Sequence, residues 1–284
     1  MKDMHKLDFK QVETVHGAID DSKFSRLSDV DRKKIRREQG IEQDEFVVGF
    51  VFRNQLRKSV PNLLDGYKQF KVENPDTKTK LLLHTHFGEN PQNSWDIPKL
   101  VKEHGIDEKE ILTTYVCCNC LKYEVKPHVG QNVACKYCDD EKSQVTTQPG
   151  AGVSEEQLNE VYNLMDTYVH PFTSGGQEIP IQEAKLTELI TLVTNYSCGE
   201  EMCCEEAASL PLDYAEYREP GTQFIKATTS PASIAANLKK VLEMKVEEKK
   251  EMGKKARQWV LDHFSIGVIG KKFEDFIDSQ PEVD

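Results

Sequence analysis

Six short apolar runs, separated by polar and amphipathic stretches, constrain this chain more than any other feature: Phe46 to Phe52, Leu81 to His84, Ile111 to Val116, Tyr168 to Pro171, Leu189 to Thr194 and Gln223 to Ala227. Runs this short suit strands rather than helices, and their near-continuous apolar character suits strands covered on both faces. Helical patterns fill the gaps. Ser59 can cap a helix in which Val60, Leu63, Leu64, Tyr67 and Phe70 share one face, and Asn74-Pro75-Asp76 breaks it. Ser154-Glu-Glu-Gln157 is a capping box that opens another helix, with Leu158, Val161, Leu164 and Met165 on its apolar side. Two closing helices are expected, from Pro231 to about Lys245 and from about Glu247 to Phe264. The alternation predicts an α/β fold on a doubly wound parallel sheet.

One segment breaks the pattern. Cys117-Cys-Asn-Cys120 and Cys135-Lys-Tyr-Cys138 are two C-x-x-C knuckles with fourteen residues between them, the spacing of a zinc ribbon. Cys117, Cys120, Cys135 and Cys138 are the expected zinc ligands, and a closed four-thiolate set makes the metal structural rather than catalytic. Zinc binding worth on the order of 10 kcal/mol can fold an insert too small for its own core. Cys118 is read as a bystander. Disulfides are the alternative; the start Met-Lys-Asp-Met-His-Lys carries no apolar secretion signal, which favours reduced thiols and a cytoplasmic protein.

Charge narrows the partners. The chain holds 37 Lys and Arg against 48 Asp and Glu, a net charge of -11. An acidic surface argues against nucleic acid or anionic membrane as the main partner. In the ribbon, Lys122, Lys126, Lys136 and Lys142 are balanced by Glu124, Asp139, Asp140 and Glu141, so it offers no phosphate-binding field either. No apolar run reaches the length of a membrane span.

The densest functional signal is the turn from His170 to Ala184, His-Pro-Phe-Thr-Ser-Gly-Gly-Gln-Glu-Ile-Pro-Ile-Gln-Glu-Ala. Gly175 and Gly176 are expected to allow positive φ and a close approach to a ligand, and the following helix start offers free N–H groups. An ordinary strand-to-helix loop closed by two glycines reads the same way. Upstream, Arg53 and Lys58 follow the first apolar run. Together the two segments resemble retaining glycosyltransferases of GT-B fold, the large family that includes glycogen synthase and mannosyltransferase-like enzymes. Its donor-sugar signature usually reads Ser-Glu-Gly-Phe-Gly-Ile-Pro-Ile-Leu-Glu-Ala. Glu183 matches the second glutamate of that signature, whereas Gly175 stands at the first.

The resemblance implies that Arg53 and Lys58 hold the donor diphosphate and that Glu183 binds ribose hydroxyls. Gly175, Gly176, Gln177, Glu178 and Ile179 would then face the donor, with Glu178 three residues past the missing glutamate. It covers about residues 12 to 276 and matches only the C-terminal, donor-binding half of such enzymes. The expected layout is a lead-in segment and linker (1–41), a Rossmann-like nucleotide-sugar-binding domain (42–116 and 149–278), a ribbon insert (117–148) and a tail (279–284). The expected activity is sugar transfer from a nucleotide donor to an unknown acceptor, with the acceptor domain absent or supplied by a partner chain. The alternative is a non-catalytic GT-B-like module whose ribbon docks protein or nucleic acid. His84 and His86 are read mainly as loop residues, Asp166 as structural, and Cys198, Cys203 and Cys204 as ordinary reduced thiols.

Overall fold

The computed structural model of the chain describes residues 13–87, 93–148 and 150–280. The opening hexapeptide, Val12 at the start of the family-like segment, Pro149 at the ribbon boundary and the end of the tail lie outside the described residues.

The strands are β1 (Phe46–Val51), β2 (Thr79–His84), β3 (Ile111–Cys117), β4 (Tyr123–Pro127), β5 (Gln144–Thr146), β6 (Thr167–His170), β7 (Ile190–Thr194), β8 (Leu210–Leu212), β9 (Tyr214–Arg218) and β10 (Ile225–Thr229). The helices are α1 (Asp29–Glu38), α2 (Val60–Glu73), α3 (Ile97–Glu103), α4 (Glu155–Asn163), α5 (Ile179–Leu186), α6 (Cys198–Met202), α7 (Pro231–Glu243), α8 (Val246–Phe264) and α9 (Ile266–Asp278). The main sheet runs β4-β3-β2-β1-β6-β7-β8, with β5 also on β3. From β3 to β8 every neighbouring pair is parallel. Val48 of β1 pairs with Leu81 on one side and Thr167 on the other, so the strand order reverses between β1 and β6. In an open α/β sheet that reversal leaves a crevice at the carboxyl ends of the two strands.

Right-handed crossovers put helices on opposite faces as the order runs outward in both directions from β1 and β6. On one face α2 packs against α7, and on the other α5 packs against α8. The predicted apolar face of α2, from Val60 to Phe70, is fully buried. A Cβ on Gly66 would lie 2.6 Å from Ile234 of α7, so the glycine sets how closely the two helices approach. Asp166 is structural: it accepts from the Val47 N–H at 2.9 Å and pairs with Arg36 at 3.0 Å, tying α1 to the start of β1. Among the described residues no helix is long and apolar enough to cross a membrane.

Several expectations need correction. The run Gln223 to Ala227 does not join the parallel sheet; β10 pairs antiparallel with β9 in a separate two-stranded ribbon. The sixth parallel strand is β8, whose Leu-Pro-Leu is too short to stand out. Ser59 occupies the start of α2 in the left-handed region (φ 31°) and makes no side-chain cap, whereas the Ser154 capping box forms in full. A third closing helix, α9, follows Phe264. The ribbon also extends the sheet: β4 pairs along Leu112 to Val116 and β5 along Tyr115 to Cys117.

Candidate functional site

The chain leaving β1 and the chain leaving β6 both emerge at the crevice, and between them they carry the residues singled out in the sequence. A cleft of about 460 Å³ is lined there by Arg53, His84, His86, Ile179 and Glu183, among others. Arg53 is exposed at this cleft, and its backbone position is fixed by its neighbour. The Asn54 amide donates to the carbonyls of His86 (3.1 Å) and Trp95 (2.9 Å) and accepts from the Trp95 N–H (3.0 Å). Glu183 sits one turn into α5, where its carboxylate accepts from the Tyr162 hydroxyl at 2.6 Å. Burial raises its pKa, and the Tyr162 bond opposes that rise only in part.

Two residues on, α5 turns a cation into the core. Lys185 is fully buried, and its ammonium donates to the Ala207 carbonyl and to Ser209 Oγ (2.7 Å). Burial pushes it from 10.5 to about 7. With the folded value below the unfolded one, the unfolded chain binds more protons between those limits, so stability rises with pH across that window. Wild type should therefore gain on Lys185→Met as pH climbs from 7 to 9, by about 1.4 kcal/mol per unit at most. Parallel thermal melts of the two proteins test this; a difference independent of pH would remove Lys185 as the cause.

Lys58 is not at the open cleft. It is 2% exposed, and its ammonium is paired with Glu178 and lies 3.3 Å from His170 Nε2. The other oxygen of Glu178 accepts from Arg57, a residue the sequence reading passed over. Burial opposes the Glu178 charge, but the His170 ring and the Lys58 ammonium outweigh it and hold the carboxyl far below its usual range. His170 is driven down to about 4 by burial and Lys58, so it is neutral, and its Nδ1 meets the Tyr168 hydroxyl at 2.7 Å.

Neither Gly175 nor Gly176 adopts positive φ, contrary to expectation. What Gly175 supplies is room. A Cβ there would lie 2.6 Å from Glu178 Oε1, so the carboxylate of residue 178 occupies the space of a side chain at 175. Gln177 turns the other way and brackets Gly17, accepting from its N–H and donating to its carbonyl at 2.8 Å each. Strain gathers around this turn: Ser59 follows Lys58 at φ 31°, and Ser197 (φ 56°, ψ -130°) donates to the Gly175 carbonyl at 2.8 Å. Off-region residues of this kind concentrate at functional sites.

The four predicted metal ligands also converge. The sulfurs of Cys117, Cys120, Cys135 and Cys138 lie within 4.8 Å of one another, with 3.6 Å between Cys117 and Cys138 and 3.7 Å between Cys120 and Cys135. A tetrahedral zinc with Zn–S bonds of about 2.3 Å places sulfurs about 3.8 Å apart, so the set fits that ion. The Cys120 N–H points at Cys117 Sγ (3.3 Å) and the Tyr137 N–H at Cys135 Sγ (3.4 Å), donors that favour thiolate over thiol. Every cysteine is a free thiol, and Cys118 is exposed and outside the set. Cys198 and Cys203 are pushed up to about 12 by burial, which favours the neutral thiol.

No protein-family model matches the sequence, and no curated protein matches it. Solved structures do match. A glycosyltransferase from Rickettsia africae is similar with a TM-score of 0.65 at 11% identity, over 96% of this chain and 59% of that one. HepE from Anabaena, solved with UDP and glucose, gives 0.64 at 14% identity, over 94% and 57%. The fold is the Rossmann-like one of GT-B glycosyltransferases. The chain thus spans less than two thirds of either of these proteins. The C-terminal domain of LpcC, a group 1 family glycosyl transferase from Francisella tularensis, gives 0.57 at 15% identity, over 87% of this chain and 99% of that one.

Proposed function

We propose that the chain is the donor-binding half of a retaining GT-B glycosyltransferase. The observation that carries this reading is the meeting of Arg53 and Glu183 in one cleft at the β1/β6 crevice. The match along nearly the whole LpcC C-terminal domain supports reading the chain as one half, and HepE's UDP supports a nucleotide-sugar ligand. Arg53 would hold the leaving diphosphate with its planar fork of donors, and Glu183 would accept ribose hydroxyls. The backbone of Gly175 and Gly176 and the side chain of Ile179 would face the donor, while Gln177, held on Gly17, and Glu178, buried against Arg57 and Lys58, would shape the turn behind it. Lys58, buried against Glu178, would act by fixing the turn's charge unless the pair opens.

The four cysteines would hold a structural zinc, which supplies a rigid tetrahedral node and no chemistry at the sugar. A reducing, cytoplasmic setting belongs to this proposal, since it keeps the thiols available to metal. So do the division into lead-in, sugar-nucleotide domain, ribbon and tail, and an acceptor domain contributed by further chain or by a partner. A second reading, a non-catalytic module, draws on one fact: Glu178 already pairs with both Arg57 and Lys58.

Calorimetric titration of the zinc-loaded chain with UDP, GDP and ADP separates the two. The donor reading expects saturable binding by one of them, weakened roughly tenfold or more in Arg53→Ala, the scale of a charge-assisted hydrogen bond. No binding by any of the three would favour the interaction module.

A further inference from the structure

Two threonines from different segments line the cleft, Thr85 just beyond β2 and Thr147 just beyond β5. They are 2% and 7% exposed, and among the described residues neither hydroxyl has a hydrogen-bond partner. Several nearby polar groups are paired, although Gln144 Nε2 of β5 and Trp95 Nε1, outside the cleft lining, are not. His84 Nδ1 meets Thr114 Oγ1 at 3.0 Å, Thr113 Oγ1 donates to the Leu83 carbonyl at 2.9 Å, and Thr146 Oγ1 accepts from Gln131 at 2.6 Å. Among the described residues, Thr85 and Thr147 are the unpaired buried side chains that line this cleft. Buried polar groups are normally paired, so two orphans at one cleft mark a surface completed by a ligand.

The ribbon places one of them. β2 pairs with β3 only as far as Thr113, and β5 takes over the same edge from Tyr115 to Cys117. Ser143, just before β5, lies 3.1 Å from the sulfur of Cys117, and the Thr147 N–H donates to the Thr114 carbonyl at 3.2 Å. A metal held by Cys117 therefore fixes the strand that delivers Thr147. Arg53 and Glu183 are the charged Arg and Glu side chains of this cleft; around the two threonines, His84 is pushed down to about 4 by burial and so neutral, and Phe52, Leu158, Ile179 and Pro180 are apolar. A flat, uncharged ring with a polar edge fits such a surface better than a phosphate does.

We propose that the return strand of the ribbon forms the base-reading wall of the cleft, with the hydroxyls of Thr85 and Thr147 hydrogen-bonding the edge of a nucleobase. This rests on the nucleotide-binding reading above. The partner atoms become available when rotation about χ1 turns each hydroxyl toward the ligand.

The test uses the full zinc-loaded chain and two isosteric variants, Thr85→Val and Thr147→Val, titrated with UDP, GDP, ADP and inorganic diphosphate, with a thermal melt of each. Each variant is expected to bind the preferred nucleotide about five- to tenfold more weakly. Diphosphate affinity should stay unchanged and the melting temperature should not fall, because valine removes an unpaired hydroxyl. Unchanged nucleotide affinity in both variants overturns the proposal while leaving the donor reading intact. Equal weakening of nucleotide and diphosphate, or a lower melting temperature, overturns it too. If wild type binds no nucleotide, both readings fall together.

Discussion

Stripping metal from the zinc-loaded protein with a strong chelator is expected to melt the ribbon and lower the melting temperature of the whole chain by ~10 °C or more. Zinc bound to such sites is worth on the order of 10–16 kcal/mol, and a domain of this size shifts by about 2–4 °C per kcal/mol. Tyr123 and Val125 of β4 reach the main core, but around the cysteines little apolar surface is buried, with Leu121 and Val129 exposed. Because β4 and β5 are strands of the main sheet, their loss also strips hydrogen bonds from both edges of β3. Amide exchange should show protection disappearing from Tyr123–Pro127 and Gln144–Thr146 and persisting in β1, β6 and β7. Cys135→Ser should reproduce the effect, whereas Cys118→Ser should be silent. Elemental analysis finding no zinc, with a melt indifferent to chelator, would sink the metal reading.

What the sequence made legible follows from how local each signal is. The parallel strands β1, β2, β3, β6 and β7 appear as apolar runs because both sheet faces are covered, so no polar alternation interrupts them. β8 is three residues with a central proline, and β9 is largely exposed, so neither announces itself by hydrophobicity. α1 was missed because Asp29–Glu38 is mostly charged, though Ser28 accepts from the Asp31 N–H and marks its start. The four cysteines were readable because ligand spacing is local. The glycine turn was recognised, but for the wrong physical reason: Gly175 clears space for a carboxylate three residues later instead of adopting positive φ. Arg57 was given no role, and His170 was read only as the first residue of the turn. The first sits beside a lysine already singled out and the second ends a strand leading to the turn. Burial of Lys58 was not legible at all, since its partner Glu178 lies 120 residues away.

That buried pair carries the second large expectation. Lys58→Met should destabilise the fold by about 3–5 kcal/mol, because it leaves a buried carboxylate short of one cation. Arg57, which is part-exposed, compensates only in part. Adding Glu178→Gln should recover most of the loss, since a neutral pair of similar shape leaves no uncompensated buried charge and the part-exposed Arg57 is left to solvent. The pH dependence carries a matching sign. Glu178 has a folded pKa held below its unfolded value, so its contribution is present above about pH 4.5 and is lost as pH falls further. Wild type should therefore lose stability on acidification below that point more steeply than Lys58→Met/Glu178→Gln. Denaturant melts at neutral and acid pH measure both effects. A double variant as unstable as the single one would mean that Lys58 matters through packing of its stem and not through charge. Nucleotide binding retained in the stable double variant would place the diphosphate contact on Arg53 and leave Lys58 as a support for the turn.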